Sequence, residues 1–323
     1  MSGCAPAGSG PDRSVPWRSL AVGALQVLVT VSLLGLIAAW WGMETFSSAL
    51  RGLPWWTFLA AGALGGSGVL VQAQRWRIVA RHHAIEVRFG AAVARCWQAA
   101  FLNSVLPGGL AGDALRAADD STDASVPTRR RALARGFASM AAERLAGTAV
   151  VFSAGGIALL PYVPMAGLGC LGAALIAAGI ASRWLRRLAA AEILRVVMLS
   201  VLGWMCFASL FMLCVMVLAP TTPTAVLPTS AAVALAGMSV PVGVGGWGAR
   251  EMAAAWSFTL SGLSAAEGVR VAVGYGVLAL VSTTPGAVIA SLRLIPRLRR
   301  ARLFAAGPRP QNPPQPPTVE GPT

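Results

Sequence analysis

Lysine is absent from this chain, and charged residues of any kind are scarce. Only 12% of the residues are charged and 56% are hydrophobic, whereas soluble domains carry about 25% charged residues. The apolar residues come in long runs, and about 20 consecutive apolar residues suffice to cross a bilayer. Because no long stretch has a soluble composition, the sequence excludes a large extramembrane domain. The lack of lysine itself is typical of a GC-rich genome.

Histidine is almost absent, and closely paired cysteines are missing. The two histidines are the neighbours His82 and His83, and none of the five cysteines belongs to a CxxC pair. A zinc site or a disulfide framework is therefore not expected, and a Ser-His-Asp arrangement has no support. We expect the chain not to be an enzyme and to need no cofactor.

The apolar runs predict an all-α polytopic membrane protein with about six to eight transmembrane helices. Residues 1–16 are rich in Gly, Pro and Ser, and residues 301–323 are Pro-rich, so both are predicted to be disordered around a membrane domain at 17–300. The predicted spans are 20–41, 55–74, 141–160, 165–182, 193–219 and 269–292, with shorter apolar helices at 91–106, 231–240 and 252–263.

Arginines in the loops predict the orientation of these spans. The termini and the segments 75–95, 113–135 and 183–195 are Arg-rich, so they are placed in the cytoplasm, while the Arg-poor loops 42–53, 161–164 and 220–228 are placed outside. The expected location is a plasma (inner) membrane, with several passes and both termini cytoplasmic. This distribution also explains the net charge of +14 without a nucleic-acid partner.

A ten-residue motif, Pro-x-Gly-x-x-Gly-x-x-x-Arg, occurs twice in apolar sequence. The first copy contains Pro107, Gly109, Gly112 and Arg116, and the second contains Pro241, Gly243, Gly246 and Arg250. Pro and Gly break helices, and a broken helix at membrane depth is tolerated where it is buried in protein or lines a cavity. Both flanks of the first copy are placed in the cytoplasm, so it is predicted to be re-entrant. The two copies suggest an inverted repeat with halves at 17–162 and 163–300.

The two motif arginines are the first candidates for substrate binding. A guanidinium suits a phosphate bidentately, and a charge within the membrane is a functional hypothesis by default. The alternative is local pairing, of Arg116 with Asp113 and of Arg250 with Glu251. The motif glycines either present free amides to a headgroup or allow close helix packing.

Three further polar residues complete the candidate substrate site. Glu143 and Arg144 open a predicted span, where they either face a cavity or form an interfacial ion pair that fixes helix register. Asn103 is expected to hydrogen-bond the broken backbone or a ligand. Arg75, Trp76 and Arg77 are assigned to the cytoplasmic interface, near lipid phosphates. Asp119, Asp120 and Asp123 are assigned to a solvated loop.

Several of these motifs, in order, resemble the lysylphosphatidylglycerol synthase transmembrane family, also described as flippase-like membrane proteins. The matching sequences are Arg75-Trp76-Arg77, the stretch from Phe101 to Arg116, Glu143 to Gly147, Pro241 to Glu251, and Thr284-Pro285-Gly286. The resemblance covers most of residues 20–295. Ala111 stands where a second Gly is usual, which should leave the turn intact.

The resemblance implies a membrane domain that moves polar or modified lipids across the bilayer, without the soluble aminoacyltransferase domain of the full synthases. We therefore expect a flippase or transporter of an anionic or lipid-linked substrate, with a central cavity between its halves. One alternative is an accessory subunit for a separate synthase or glycosyltransferase. The other is an enzyme acting on lipid phosphates through Asp113, Glu143 or Glu251.

Overall fold

The computed structural model describes residue 44 and residues 47–106, 109–123, 128–240 and 245–292. These residues are helical almost throughout. The helices of 12 or more residues are α1 (Trp55–His82), α2 (Phe89–Val105), α3 (Ala111–Asp123), α4 (Arg129–Leu159), α5 (Pro164–Leu185), α6 (Ala190–Leu218), α7 (Val226–Met238), α8 (Ala249–Leu260) and α9 (Ala265–Ser282).

Five helical segments of the described residues are long and apolar enough to cross a membrane. They are Trp55–His82, Arg129–Leu159, Pro164–Leu185, Ala190–Leu218 and Ala265–Leu292. The prediction of an all-α polytopic membrane protein is confirmed. The predicted span at 20–41, the N-terminal segment and the tail lie outside the described residues.

The same order of helices occurs twice along the chain. In each case a long helix is followed by two short helices and then by another long helix: α1, α2, α3, α4 and then α6, α7, α8, α9. The short helices have 17, 13, 13 and 12 residues, so at 1.5 Å per residue none exceeds about 26 Å. Each pair of short helices flanks one copy of the motif. An inverted symmetry between the two halves remains a prediction.

The structure corrects the assignment of 113–135 to a polar loop, because α3 and the start of α4 lie there. Low hydropathy suggested solvent, but several of the charged side chains pair inside the protein. Asp120 is fully buried, and its Oδ1 accepts a hydrogen bond from Arg95 Nη1 at 3.2 Å. The solvated-loop prediction is therefore wrong for Asp120.

The largest buried cluster joins the two halves. It lies where α1, α6, α7, α8 and α9 meet, and Phe211, Phe258 and Tyr275 are fully buried within it. The rings of Phe211 and Tyr275 are 5.5 Å apart. A second cluster, around Trp76 and Cys96, packs α1 against α2. The two short-helix pairs are therefore held by long helices on both sides.

Helix α1 ends in a Schellman motif that contains an unusual residue. The Ile85 amide bonds to Ala80 O and the Ala84 amide to Arg81 O, each at 3.0 Å, and Ile85 is fully buried. Ala84 has φ +56°, in the left-handed region where such caps usually have Gly.

Replacing Ala84 by Gly is expected to raise the free energy of unfolding by about 1 kcal/mol, because it relieves the cost of the left-handed backbone. The measurement is a denaturant titration of the purified protein in detergent. The matched control is Ala178→Gly, at an exposed position within α5, which should be neutral or destabilising. Equal effects of the two substitutions would contradict the argument.

Candidate functional site: two buried arginine clusters at the helix breaks

The first cluster is centred on the carboxylate of Glu143, which is fully buried in α4. Arg75, from α1, donates from Nε to Glu143 Oε1 at 3.0 Å, and its Nη2 contacts the same oxygen. Arg116, from α3, donates from Nη2 to Oε2 at 2.7 Å. Arg75 Nη1 also bonds to Ser200 Oγ, in α6, at 3.0 Å. The Glu143 carboxylate therefore links α1, α3 and α4. The hydrogen bond from Arg75 to Ser200 adds α6 to this group.

Asp113 forms a second centre in the same cluster, next to the first helix break. Its Oδ2 accepts from Arg144 Nη2 at 2.6 Å and from Asn103 Nδ2 at 3.0 Å. Asn103 Oδ1 in turn accepts the Gly112 amide at 2.8 Å, and Arg144 Nη2 donates to Gly109 O at 2.9 Å. These contacts close the turn between α2 and α3, so Asn103 makes the first of its two predicted contacts, that with the broken backbone.

The guanidinium of Arg116 is almost completely enclosed. The residue is 2% exposed, its Cζ lies 5.2 Å from the centre of the Trp76 ring, and Nη1 contacts Cys96 Sγ at 3.5 Å. A cation over an aromatic face is stabilised by the ring quadrupole. Its Nε is buried and has no hydrogen-bond partner among the described residues. The guanidinium thus retains one unused donor.

The second cluster follows the other helix break, at the start of α8. Arg250 donates from Nε to Glu251 Oε1 at 3.0 Å, and both residues are buried. Glu251 Oε2 accepts the Gly248 amide at 2.6 Å, which caps the helix. The Arg250 guanidinium lies 4.6 Å from the Trp247 ring and 5.4 Å from the Tyr275 ring. The Tyr275 hydroxyl is buried with no hydrogen-bond partner among the described residues.

The second broken motif contacts the last turn of α2, directly before the first helix break. Gly245 has φ +58°, and a Cβ placed on it would lie 2.6 Å from Ser104 O, at the end of α2. Glycine is required there both for the backbone conformation and for the close approach. The two breaks, which are more than 100 residues apart in sequence, therefore form one region of the molecule.

The structure decides some of the alternatives left open by the sequence. Arg250 pairs with Glu251 as in the local alternative, whereas the nearest carboxylate to Arg116 is Glu143, with Asp113 Oδ1 at 3.6 Å. Glu143 and Arg144 do not pair with each other but with residues of other helices or turns. A substrate role for any of these residues remains a prediction.

Of the remaining motif residues, the structure describes three glycines. Gly109 and Gly246 have φ +59° and +77°, as expected of a helix break, and Gly112 lies against the backbone of Ala99. Pro107, Pro241 and Gly243 lie outside the described residues. The expected open cavity is not seen at Arg116, where the narrow space between α2 and α3 has no room for a water molecule.

Arg75 is the member of the cluster that sequence reasoning assigned wrongly. The sequence predicts it at the lipid interface together with Trp76, but its side chain is 12% exposed and bound to Glu143, and Trp76 is fully buried. The signal that could have found it is the first arginine after one apolar run and a glutamate at the boundary of another, Glu143. Ser200, one of two serines in the apolar sequence of α6, gave no signal.

The family comparison matches the first half of this architecture. The family model described as lysylphosphatidylglycerol synthase TM region matches residues 23–192. That range contains the first motif with Asn103, Asp113, Arg116, Glu143 and Arg144, while the second motif lies beyond it. No curated protein matches the chain. The matched residues amount to just over half of the sequence, and the chain belongs to the family of the lysylphosphatidylglycerol synthase TM region.

Proposed function

We propose that this integral membrane protein moves an anionic or lipid-linked amphiphile across the plasma membrane, and that Arg116 and Arg250 bind its negatively charged headgroup. The observation that carries the proposal is the contact between the two helix breaks, each of which holds one buried arginine. Charges buried at membrane depth are costly and usually serve ion or substrate pathways. We place both termini of the chain in the cytoplasm, in keeping with the Arg-rich loops.

Both arginines can exchange partners while their carboxylate keeps another hydrogen-bond donor, which is a second guanidinium at Glu143 and a neutral backbone amide at Glu251. If Arg116 turns to a phosphate, Glu143 keeps its contacts with Arg75. If Arg250 does so, Glu251 keeps the Gly248 amide. Breaking a buried ion pair is expensive mainly because it leaves one charge without compensation. A second partner on each carboxylate lowers that cost, and the unused Nε of Arg116 is a further donor for a phosphate oxygen.

A conformational change is part of this proposal, because the space at Arg116 is closed. We propose that α3 moves away from α2 to admit the headgroup, with the glycines of the breaks as hinges. The contact between Gly245 and Ser104 would transmit this movement to the second break. No catalytic step is proposed, since Asp113, Glu143 and Glu251 each accept hydrogen bonds from an arginine.

A second candidate function is that of an accessory membrane subunit for a separate synthase or glycosyltransferase. The same closed packing favours it, because both arginines already have protein partners and the space between α2 and α3 at Arg116 does not admit a water molecule. In that case the ion pairs would fix the arrangement of the helices and bind no lipid.

The deciding experiment is mass spectrometry of the lipids that co-purify with the protein in mild detergent. The wild type is compared with Arg116→Lys/Arg250→Lys, which retains both charges but removes the bidentate geometry. The matched control is Arg129→Ala/Arg130→Ala, which removes two exposed arginines at the start of α4. Folding of each variant is checked by its thermal unfolding curve.

We expect one anionic or lipid-linked species to be enriched with the wild type and with the control. The amount of this species that co-purifies should fall about tenfold or more in the Lys variant, because a charge-assisted hydrogen bond contributes about 1.5–3 kcal/mol. That species is then the cargo for a translocation assay in vesicles. A lipid profile that equals the bulk membrane in all three folded proteins would reject the headgroup site and favour the accessory role.

A further inference from the structure

A second basic site lies away from the two helix breaks, at the ends of α1 and α5. It is a crevice of about 360 Å³ lined mainly by four arginines and two histidines: His82, His83, Arg135, Arg183, Arg186 and Arg187. A volume of this size is within the range of small-molecule sites. Because α1 and α5 are both candidate spans, the crevice lies at a membrane boundary, on the side where the arginine-rich loops are placed.

The charges of this crevice are not compensated by any carboxylate among the described residues that line it. Its lining contains no carboxylate, and within the described residues no hydrogen bond or ion pair is found for the guanidinium group of any of the four arginines. By contrast, Arg75, Arg116, Arg144 and Arg250 are all paired. Four guanidinium groups around one small volume repel one another unless an anion lies between them.

His83 adds an independent indication of a ligand. Its Nε2 is buried and has no hydrogen-bond partner among the described residues. Burial, the adjacent His82 and the charge of Arg135 lower the pKa of His83 to about 4, so the ring is neutral at pH 7. A buried nitrogen without a partner usually has an unseen one, and a phosphate oxygen would supply it.

We propose that this crevice binds a phosphate-bearing group with at least two negative charges, such as a phosphomonoester or a diphosphate, rather than a singly charged phosphodiester. One phosphodiester charge would neutralise one of the four guanidinium groups, whereas a monoester or diphosphate neutralises two or more. Guanidinium groups also bind phosphate oxygens bidentately. The group belongs either to a membrane lipid or to a soluble compound. This proposal is independent of the headgroup site at Arg116 and Arg250.

The two histidines provide a direct test, because the chain contains no others. Protein labelled selectively at histidine, purified through a tag without histidine and held in detergent, gives side-chain NMR signals from His82 and His83 alone. It is titrated with inorganic pyrophosphate, with short-chain phosphatidic acid and with short-chain phosphatidylglycerol. Anion binding should raise the pKa of His83, because an adjacent negative charge favours the protonated ring.

We expect a saturable shift of the His83 signal with pyrophosphate or phosphatidic acid, at a concentration at least tenfold lower than with phosphatidylglycerol. Saturation by pyrophosphate alone indicates a soluble ligand, and saturation by phosphatidic acid alone indicates a lipid. In Arg183→Ala/Arg187→Ala the affinity should fall tenfold or more. These arginines are exposed and unpaired within the described residues, so their removal leaves the fold intact.

The matched control is again Arg129→Ala/Arg130→Ala, which removes the same charge from the same side of the molecule but outside the crevice. It should bind like the wild type. The proposal is overturned if no probe shifts His83, if the three probes act at equal concentrations, or if the two double variants lose binding to the same extent.

Discussion

Glu143→Gln is expected to lower the free energy of unfolding by about 3–5 kcal/mol, the usual cost of breaking a buried ion pair by removing one partner. The carboxylate of Glu143 is the shared acceptor of Arg75 and Arg116. A neutral amide of similar shape leaves the Arg75 guanidinium without a carboxylate, and it leaves Arg116 with only Asp113, whose Oδ1 is 3.6 Å away. The measurement is a denaturant titration in detergent, followed by circular dichroism.

The matched control for this substitution is Glu192→Gln, which neutralises an exposed carboxylate in the first turn of α6. Surface substitutions usually change stability by less than about 0.5 kcal/mol. Adding Arg116→Met to Glu143→Gln should restore part of the lost stability, because one unpaired charge is then removed. If Glu143→Gln is as stable as Glu192→Gln, the shared carboxylate does not hold the four helices together.

Gly112→Ala is expected to destabilise the protein by about 2 kcal/mol, in the range found for overpacked cores, and to abolish lipid enrichment. A Cβ on Gly112 would lie 2.6 Å from Ala99 Cα and even closer to the Ala99 carbonyl. Because these are backbone atoms, α3 must shift away from α2. That shift displaces Asp113 from Asn103 and Arg144, and it displaces Arg116 from Glu143.

Gly169→Ala is the matched control for Gly112→Ala. It makes the same chemical change in α5, where a Cβ would meet nothing within 4 Å. Since alanine favours a helix over glycine by up to about 1 kcal/mol, stability should be unchanged or slightly higher, and the lipid profile should match that of the wild type. Equal behaviour of the two variants would show that the close contact of α2 and α3 has no special role.

These predictions depend on tertiary contacts that the sequence indicated only in part. The two helix breaks were predictable, because proline and glycine disrupt helices locally wherever they occur. The partner of Arg250 was also predictable, since Glu251 is its neighbour in sequence. For Arg116 the local alternative, Asp113, is present at 3.6 Å, but the nearer partner, Glu143, was not predictable because it is 27 residues away.

The sequence by itself determined that this is a helical membrane protein with two interrupted segments, because hydropathy and helix breaking are local properties of the chain. The tertiary structure alone decided that α3 is a helix with buried charges, since their compensation by Arg95, Glu143 and Arg144 depends on packing. It also decided that Arg75 binds Glu143 and Ser200, which are 68 and 125 residues away, and does not face the lipid interface. The burial of a charge depends on which opposite charge the fold brings to it, and that information is distributed over the whole chain.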